Sequence, residues 1–200
     1  MTPQVKPSAR EARRLQTRQR ILGAAIAEFK RSGMTGADVN AIVAAAGVAH
    51  GTFFFHFPSK EHVLLELEGR EEARMAGEFT RFLEGRHDLV SALTKVVHLV
   101  AGLEVRLGRV LFKELLALHF SPTRRNKDEW TDHPIIVLLV REIERARGDG
   151  EVHPEVDAFY SAAFFLLGIY GALTTMTNFD TRDTMLAKLV ATAVRGLDIR

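Results

Sequence analysis

The sequence contains no cysteine, which excludes disulfide bridges, thiolate zinc sites and cysteine nucleophiles together. Strand signals are almost absent, since alternating apolar segments bounded by turn dipeptides do not occur. Residues 1–20 are polar and basic and lack the apolar core of a secretory signal, so none is expected. The most apolar stretch, 162–173 (AAFFLLGIYGAL), falls short of the roughly 20 residues that a bilayer span needs. It reads as a buried helix, and no membrane partner is expected. A Gly-rich phosphate loop, a nucleophile elbow and internal repeats are lacking too. The eight histidines form no i, i+4 pair on any helix. Neither a metal site, a cofactor nor an enzymatic activity is therefore expected.

What is present is an ordinary globular composition. The chain has 200 residues, 46% hydrophobic and 26% charged, enough for a core in one or two compact units. Net charge is only +2, but it is unevenly placed. Residues 1–60 hold nine Lys/Arg against three acids, and the remainder has a small acidic excess. A basic head on a mildly acidic body is the asymmetry expected when one end meets a polyanion.

Helical periodicity recurs along the chain. After a proline-containing arm, a helix is predicted over 8–32, with Leu15, Ile21, Leu22, Ala25, Ile26 and Phe29 on its apolar face and Gly33 at its end. A short helix over 39–46 follows with Asp38 as N-cap, then a turn at Gly47-Val48, and a second short helix over 50–56. Pro58 stops that helix, and Ser59 opens a long one over 60–84. Further helices are predicted over 89–105, 109–120, 133–147, 155–179 and 181–197, with Asp180 and Asp183 at the start of the last and a loop over 121–132. The fold class is all-α, of about nine helices. A head (1–60) precedes a helical body (61–200).

Two short helices joined by a glycine turn behind a longer helix make a helix-turn-helix unit. Gly47 supplies the backbone freedom for the turn, Ala44, Ala45 and Ala46 let the helices approach, and Val48 plugs the space between them. The second short helix then offers His50, Thr52 and Phe53 to base edges in a major groove. Phe54 and Phe57 are expected in the core.

The run 17–64 resembles the amino-terminal domain of the tetracycline-repressor (TetR) family. Thr17-Arg18, Ile21-Leu22, Ala24-Ala25, Phe29, Gly33, Ile42, Ala46-Gly47-Val48, Gly51-Thr52, His56-Phe57 and Lys60 carry the resemblance. It implies a DNA-binding surface at Thr17, Asp38, Ala49, His50, Gly51, Thr52, Phe53, Phe54, His56 and Lys60, with Lys60 as the foremost phosphate contact and His56 as either a phosphate contact or a capping or packing group. Ala49 stands where the family usually has Ser, Phe54 where it has Tyr, and Asp38 where Thr is common. Losing two hydroxyl donors to phosphate weakens non-specific affinity slightly, at about 1 kcal/mol per hydrogen bond. Arg10, Arg13 and Arg14 are candidates for the DNA backbone or minor groove, or for plain solvation.

For the body the resemblance implies an effector pocket and a dimer interface. Pocket candidates are His98, Phe112, Leu116, His119, Phe120, Trp130, Phe164 and Thr175, with His98 and His119 as polar anchors. Helix 155–179 is apolar around most of its girth, so Phe165, Ile169 and Leu173, with Met185, Leu189 and Ala193 of the last helix, are expected at a two-fold four-helix interface, with Gly168 and Gly171 allowing close approach. The function implied is a cytoplasmic transcriptional regulator: a homodimeric repressor on a palindromic double-stranded operator, released by an unidentified small-molecule effector of hydrophobic or aromatic character. The alternative is a ligand-independent helical DNA-binding or protein-interaction module.

Overall fold

A computed structural model describes residues 8–121, 133–176 and 178–197. Among them are nine helices and no strand: α1 Ala9–Gly36, α2 Val39–Ala46, α3 His50–His56, α4 Lys60–Leu83, α5 Leu89–Leu107, α6 Arg109–His119, α7 Pro134–Gly148, α8 Ala158–Thr175 and α9 Phe179–Gly196. The chain forms two compact units, Met1–Glu68 and Gly69–Arg200. The division falls inside α4, so that helix belongs partly to each. Trp130, and most of the loop expected over 121–132, lie outside the described residues.

Helix boundaries follow local chemistry. Ser8 caps α1 by accepting from the Glu11 amide at 3.2 Å, and Asp38 caps α2 by accepting from the Asn40 amide at 2.8 Å. Gly33, with φ 70° and ψ 163°, interrupts α1 where the sequence reading ends it, yet the helix resumes for three residues to Gly36. Asp88 and Ser91 form a reciprocal capping box at the start of α5. At α9 the cap is Asn178, accepting from the Thr181 amide at 3.1 Å. The start expected at Asp180-Asp183 is thereby corrected, because the amide side chain two residues earlier already satisfies the first turn.

In the first unit Ile21, Leu22, Ala25 and Phe29 of α1 pack with Ile42 of α2, Phe53 of α3, Phe57, and Val63 and Leu64 of α4, all essentially fully buried. The core of the second unit is built from Phe79, Leu93, Val96, Val100, Leu111, Phe112, Leu139, Ile143, Leu166, Ile169 and Leu173. A buried ion pair crosses it, Arg182 of α9 to Glu104 of α5 at 2.6 Å. Helix α8 is long and apolar enough to cross a membrane by length and composition, and 44% of it is buried within the unit. Its other face, bearing Tyr160, Phe164 and Leu167, is exposed.

Candidate nucleic-acid interface

Three features of the first unit set the position of α3. Helix α2 ends at Gly47, whose φ of 62° and ψ of 44° lie in the left-handed region that a side chain disfavours. Its amide reaches Ala44 O at 3.1 Å while the Val48 amide reaches Val43 O at 3.0 Å, closing the last turn on itself. The chain emerges with α2 and α3 bent by 95° to each other, inside the range of helix-turn-helix pairs.

The second feature is Arg18. Its Nε donates to Glu66 Oε2 at 2.7 Å, its Nη1 donates to the backbone carbonyl of His56, and its guanidinium lies 4.1 Å from the centre of the Phe57 ring. One side chain of α1 thus binds the end of α3 and the second turn of α4. Glu28 does similar service at the other end of the head. It accepts from Arg31 at 2.7 Å and from the Asp38 amide at 3.4 Å, and Arg31 holds its carboxyl below the usual carboxylate range.

The third feature is the burial pattern of α3. Phe53, His56 and Phe57 occupy positions i, i+3 and i+4 and all three are buried, whereas His50, Gly51, Phe54 and Phe55 are exposed and Thr52 is half-exposed. This corrects two expectations. Phe53 has no exposed surface and cannot reach a thymine methyl, while Phe54, expected in the core, is 45% exposed. Helical spacing is the reason, because Phe53 and Phe57 share the face that meets α1 and Phe54 is turned about 100° away. The i, i+4 pairing of Phe53 with Phe57 was the signal in the sequence that could have separated them.

His56 takes the packing role, the alternative to a phosphate contact. Its ring is buried, and burial, followed by the charges of Arg18 and Arg14, keeps its pKa below the ordinary histidine value. A neutral buried imidazole is a packing group, not a surface cation. Lys60 is half-exposed and uses its ammonium on the carbonyls of Thr35 and Ala37, at 3.1 and 3.2 Å, at the junction of α1 and α2. Asp38 is exposed but committed to its cap, and Ala49 caps α3 with no side-chain hydrogen bond.

Beside the exposed face of α3 lies an open cleft bordered by Ser8, Arg10, Glu11, Arg13, Arg14, Thr17, Thr52, Phe55 and His56. Thr17 and Thr52, from α1 and α3, therefore meet in one cleft. Three arginines enter it against one carboxylate, and Arg14 lies 5.8 Å from the centre of the Phe55 ring. Phe55, 71% exposed, was not singled out as a contact from the sequence. A cationic cleft next to a helix that presents His, Thr and two phenyl rings offers phosphate contacts and base-edge contacts side by side.

The body departs further from expectation. A small cavity is lined by Glu72, Met75, His119, His133, Pro134, Ile135, Ile136, Leu166 and Tyr170. Of the expected pocket residues that are described, His119 alone lines it. Phe112 and Leu116 are buried on the core side of α6, and His98 is exposed because α5 turns Val96, Val97, Leu99 and Val100 inward. Phe120 is 42% exposed with its ring 5.9 Å from that of Tyr170. Thr175 is exposed at the end of α8 and donates to Gly171 O at 2.6 Å.

Phe164 instead borders a separate groove of about 260 Å³ with Leu93, Ile143, Leu189, Thr192 and Ala193 among its walls. Among the residues expected at an interface, Phe165, Ile169 and Leu173 are buried within the unit, because they sit on the face of α8 opposite Tyr160, Phe164 and Leu167. Met185 is 45% exposed, and Leu189 and Ala193 are half-exposed. A Cβ at Gly168 would stand 2.9 Å from Leu189 Cδ1, so glycine there permits the close approach of α8 and α9, whereas a Cβ at Gly171 would meet nothing within 4 Å in this chain.

Residues 21–67 match the family described as bacterial regulatory proteins, tetR family. The chain is 24% identical over 186 residues to the transcriptional regulator UidR of Escherichia coli strain K12, covering 90% of this chain and 92% of that one. It is 29% identical over 190 residues to the transcriptional repressor AcnR of Corynebacterium efficiens, covering 92% and 95%. Among solved structures it is similar to Thermus thermophilus FadR, a TetR-family repressor in complex with lauroyl-CoA, with a TM-score of 0.66, 23% identity, and coverage of 90% of this chain and 92% of that chain.

Proposed function

We propose that the chain is a member of the tetR family of bacterial regulatory proteins and, from that premise, a homodimeric repressor released from a palindromic operator by a small molecule. The observation that carries the DNA-binding part is the pairing of a solvent-facing α3, set at 95° to α2, with an arginine-lined cleft. His50, Thr52, Phe54 and Phe55 are the residues proposed to reach bases, and Arg10, Arg13, Arg14 and Thr17 those proposed to engage phosphate. Lys60 keeps the α1–α2 junction closed and has one donor left for phosphate.

The exposed apolar stripe of Tyr160, Phe164 and Leu167 on α8, with Met185 and Leu189 on α9, supports self-association about a two-fold axis. Two heads in one dimer call for half-sites about one turn of DNA apart. The complex of Thermus thermophilus FadR with lauroyl-CoA supports a small-molecule effector for this chain too. The body domain is the proposed site for it, and α4, which belongs to both units, the proposed element that it displaces. Coupling of effector and operator affinities is then reciprocal, typically about 1–3 kcal/mol. The cytoplasm, where operator DNA is, is the proposed compartment.

A second reading, regulation of DNA without an organic effector, draws on the cavity at His119. Its volume is about 30 Å³, against the roughly 300–1,000 Å³ of drug-sized ligand pockets. Selection of bound sequences from random duplex DNA with the purified chain tests the central proposal. One recovered palindrome supports a specific dimeric regulator. Failure to enrich any sequence at low salt, by a folded dimer, overturns it.

A further inference from the structure

The side chains of Glu72, His119 and His133 are brought together from three separate elements: the body portion of α4, the last residue of α6, and the residue that precedes α7. One ligand atom from each lies within 4.8 Å of the other two. The His133 Nδ1 is 3.1 Å from Glu72 Oε1, and the His119 and His133 rings are 4.8 Å apart between centroids. All three are half-buried at the edge of the small cavity.

We propose that these three side chains bind a divalent transition-metal ion of the zinc class, with a coordination position left open toward the cavity. Two imidazoles and one carboxylate are the donor set of three-ligand zinc sites that keep a place for water or another oxygen or nitrogen donor. Zinc holds such ligands at about 2.0–2.2 Å, which places them roughly 3.3 Å apart in a tetrahedron. The Glu72–His133 separation already meets that spacing, and the His119 nitrogen, within 4.8 Å of both partners, has to close in for a tetrahedron.

Size and charge point the same way. A cavity of about 30 Å³ accommodates an ion with a water molecule and excludes an organic molecule of ordinary size. Its described walls include no lysine or arginine, and its one acidic group is the Glu72 carboxylate. The carbonyl end of α6 at His119 favours a cation while the amide end of α7 at His133 opposes one, so the carboxylate decides the sign. A metal-free ion pair of Glu72 with His133 is the competing account of the same contact.

The full-length chain, stripped by chelator dialysis, would be titrated with Co²⁺ followed by visible absorption, and with Zn²⁺ by calorimetry. One ion per chain is expected, with an intense tetrahedral cobalt spectrum that Zn²⁺ abolishes. His119→Ala and His133→Ala should each weaken binding by at least about tenfold, a loss that removing even an outer-shell partner produces. His98→Ala, on the exposed face of α5, should leave it unchanged. Should either alanine variant lose its helical circular dichroism, Glu72→Gln reads the same site with little change of volume. Wild-type affinity no greater than that of a folded Glu72→Gln or His119→Ala/His133→Ala chain overturns the proposal. No DNA enters this experiment, so its failure is separate from failure of the repressor reading.

Discussion

Arg182 Nη1 donates to Glu104 Oε2 at 2.6 Å with both side chains under 10% exposed, an ion pair shut inside the body between α9 and α5. Removing one partner strands the other charge in a low-dielectric interior. Arg182→Met should therefore destabilise the body by about 3–5 kcal/mol, whereas the double change Glu104→Leu/Arg182→Met should recover much of that loss. Urea unfolding of the single and double variants checks this. Equal destabilisation in both would show that packing, and not the buried charge, governs the site.

Phe53 and Phe55 are two residues apart with opposite surroundings, 0% and 71% exposed. Phe53→Ala should cost about 3–5 kcal/mol of head stability through the cavity that it leaves. Phe55→Ala should stay within about 0.5 kcal/mol in stability and lower operator affinity instead. Thermal unfolding beside gel-shift titration separates the two effects. Normal DNA binding by Phe55→Ala would remove that ring from the interface.

The arginines of the cleft are expected to act as phosphate contacts. Single alanine substitutions at Arg10, Arg13 and Arg14 should weaken binding to all DNA sequences alike and reduce the slope of log affinity against log salt by about 1 each. Fluorescence anisotropy over a salt series measures it. A slope that does not change would leave those cations in bulk solvent when DNA is bound.

His56 makes head stability depend on pH. Its folded-state pKa lies below the ordinary value of about 6.5, so between the two values the unfolded chain binds more protons. Stability should be fully present above that ordinary value and fall as pH drops through the folded-state value. His56→Gln should flatten this part of the profile, read as denaturation midpoints between about pH 7 and 5. Matching profiles for the two proteins would assign the acid loss to other groups.

Phe164 is 68% exposed on the stripe proposed to meet a second copy. Phe164→Glu should convert the dimer to a monomer without unfolding the body, because the side chain contributes little to the core of its own unit. Sedimentation equilibrium gives the answer. A dimer that survives Phe164→Glu and Leu167→Glu together would place the interface elsewhere.

The helix boundaries of the head were legible because each has a local cause: the Asp38 carboxylate, the Gly47 turn and the Pro58 stop all act within a few residues of themselves. The body was legible as a succession of helices, but the direction of individual side chains was not. His98 looked like a polar anchor on an apolar helix, yet it falls in the arc of α5 between inward rows, and only packing reveals that arc. Phe165, Ile169 and Leu173 share an apolar helix with Phe164 and Leu167, and composition does not say which stripe the chain buries for itself. Glu72, His119 and His133 show no local spacing at all. Their meeting, across 61 residues between the first and the last, is a product of tertiary structure.

Arg18 has a mechanical consequence for the head. Because its guanidinium grips the final carbonyl of α3, the ring of Phe57 and the Glu66 carboxylate of α4 at once, no slack remains between the end of the one helix and the start of the other. A twist applied to the first turns of α4 is therefore delivered to α3 as a change of heading. The same three contacts span the intervening Phe57–Ser59 link, so that link need not carry such a twist by itself.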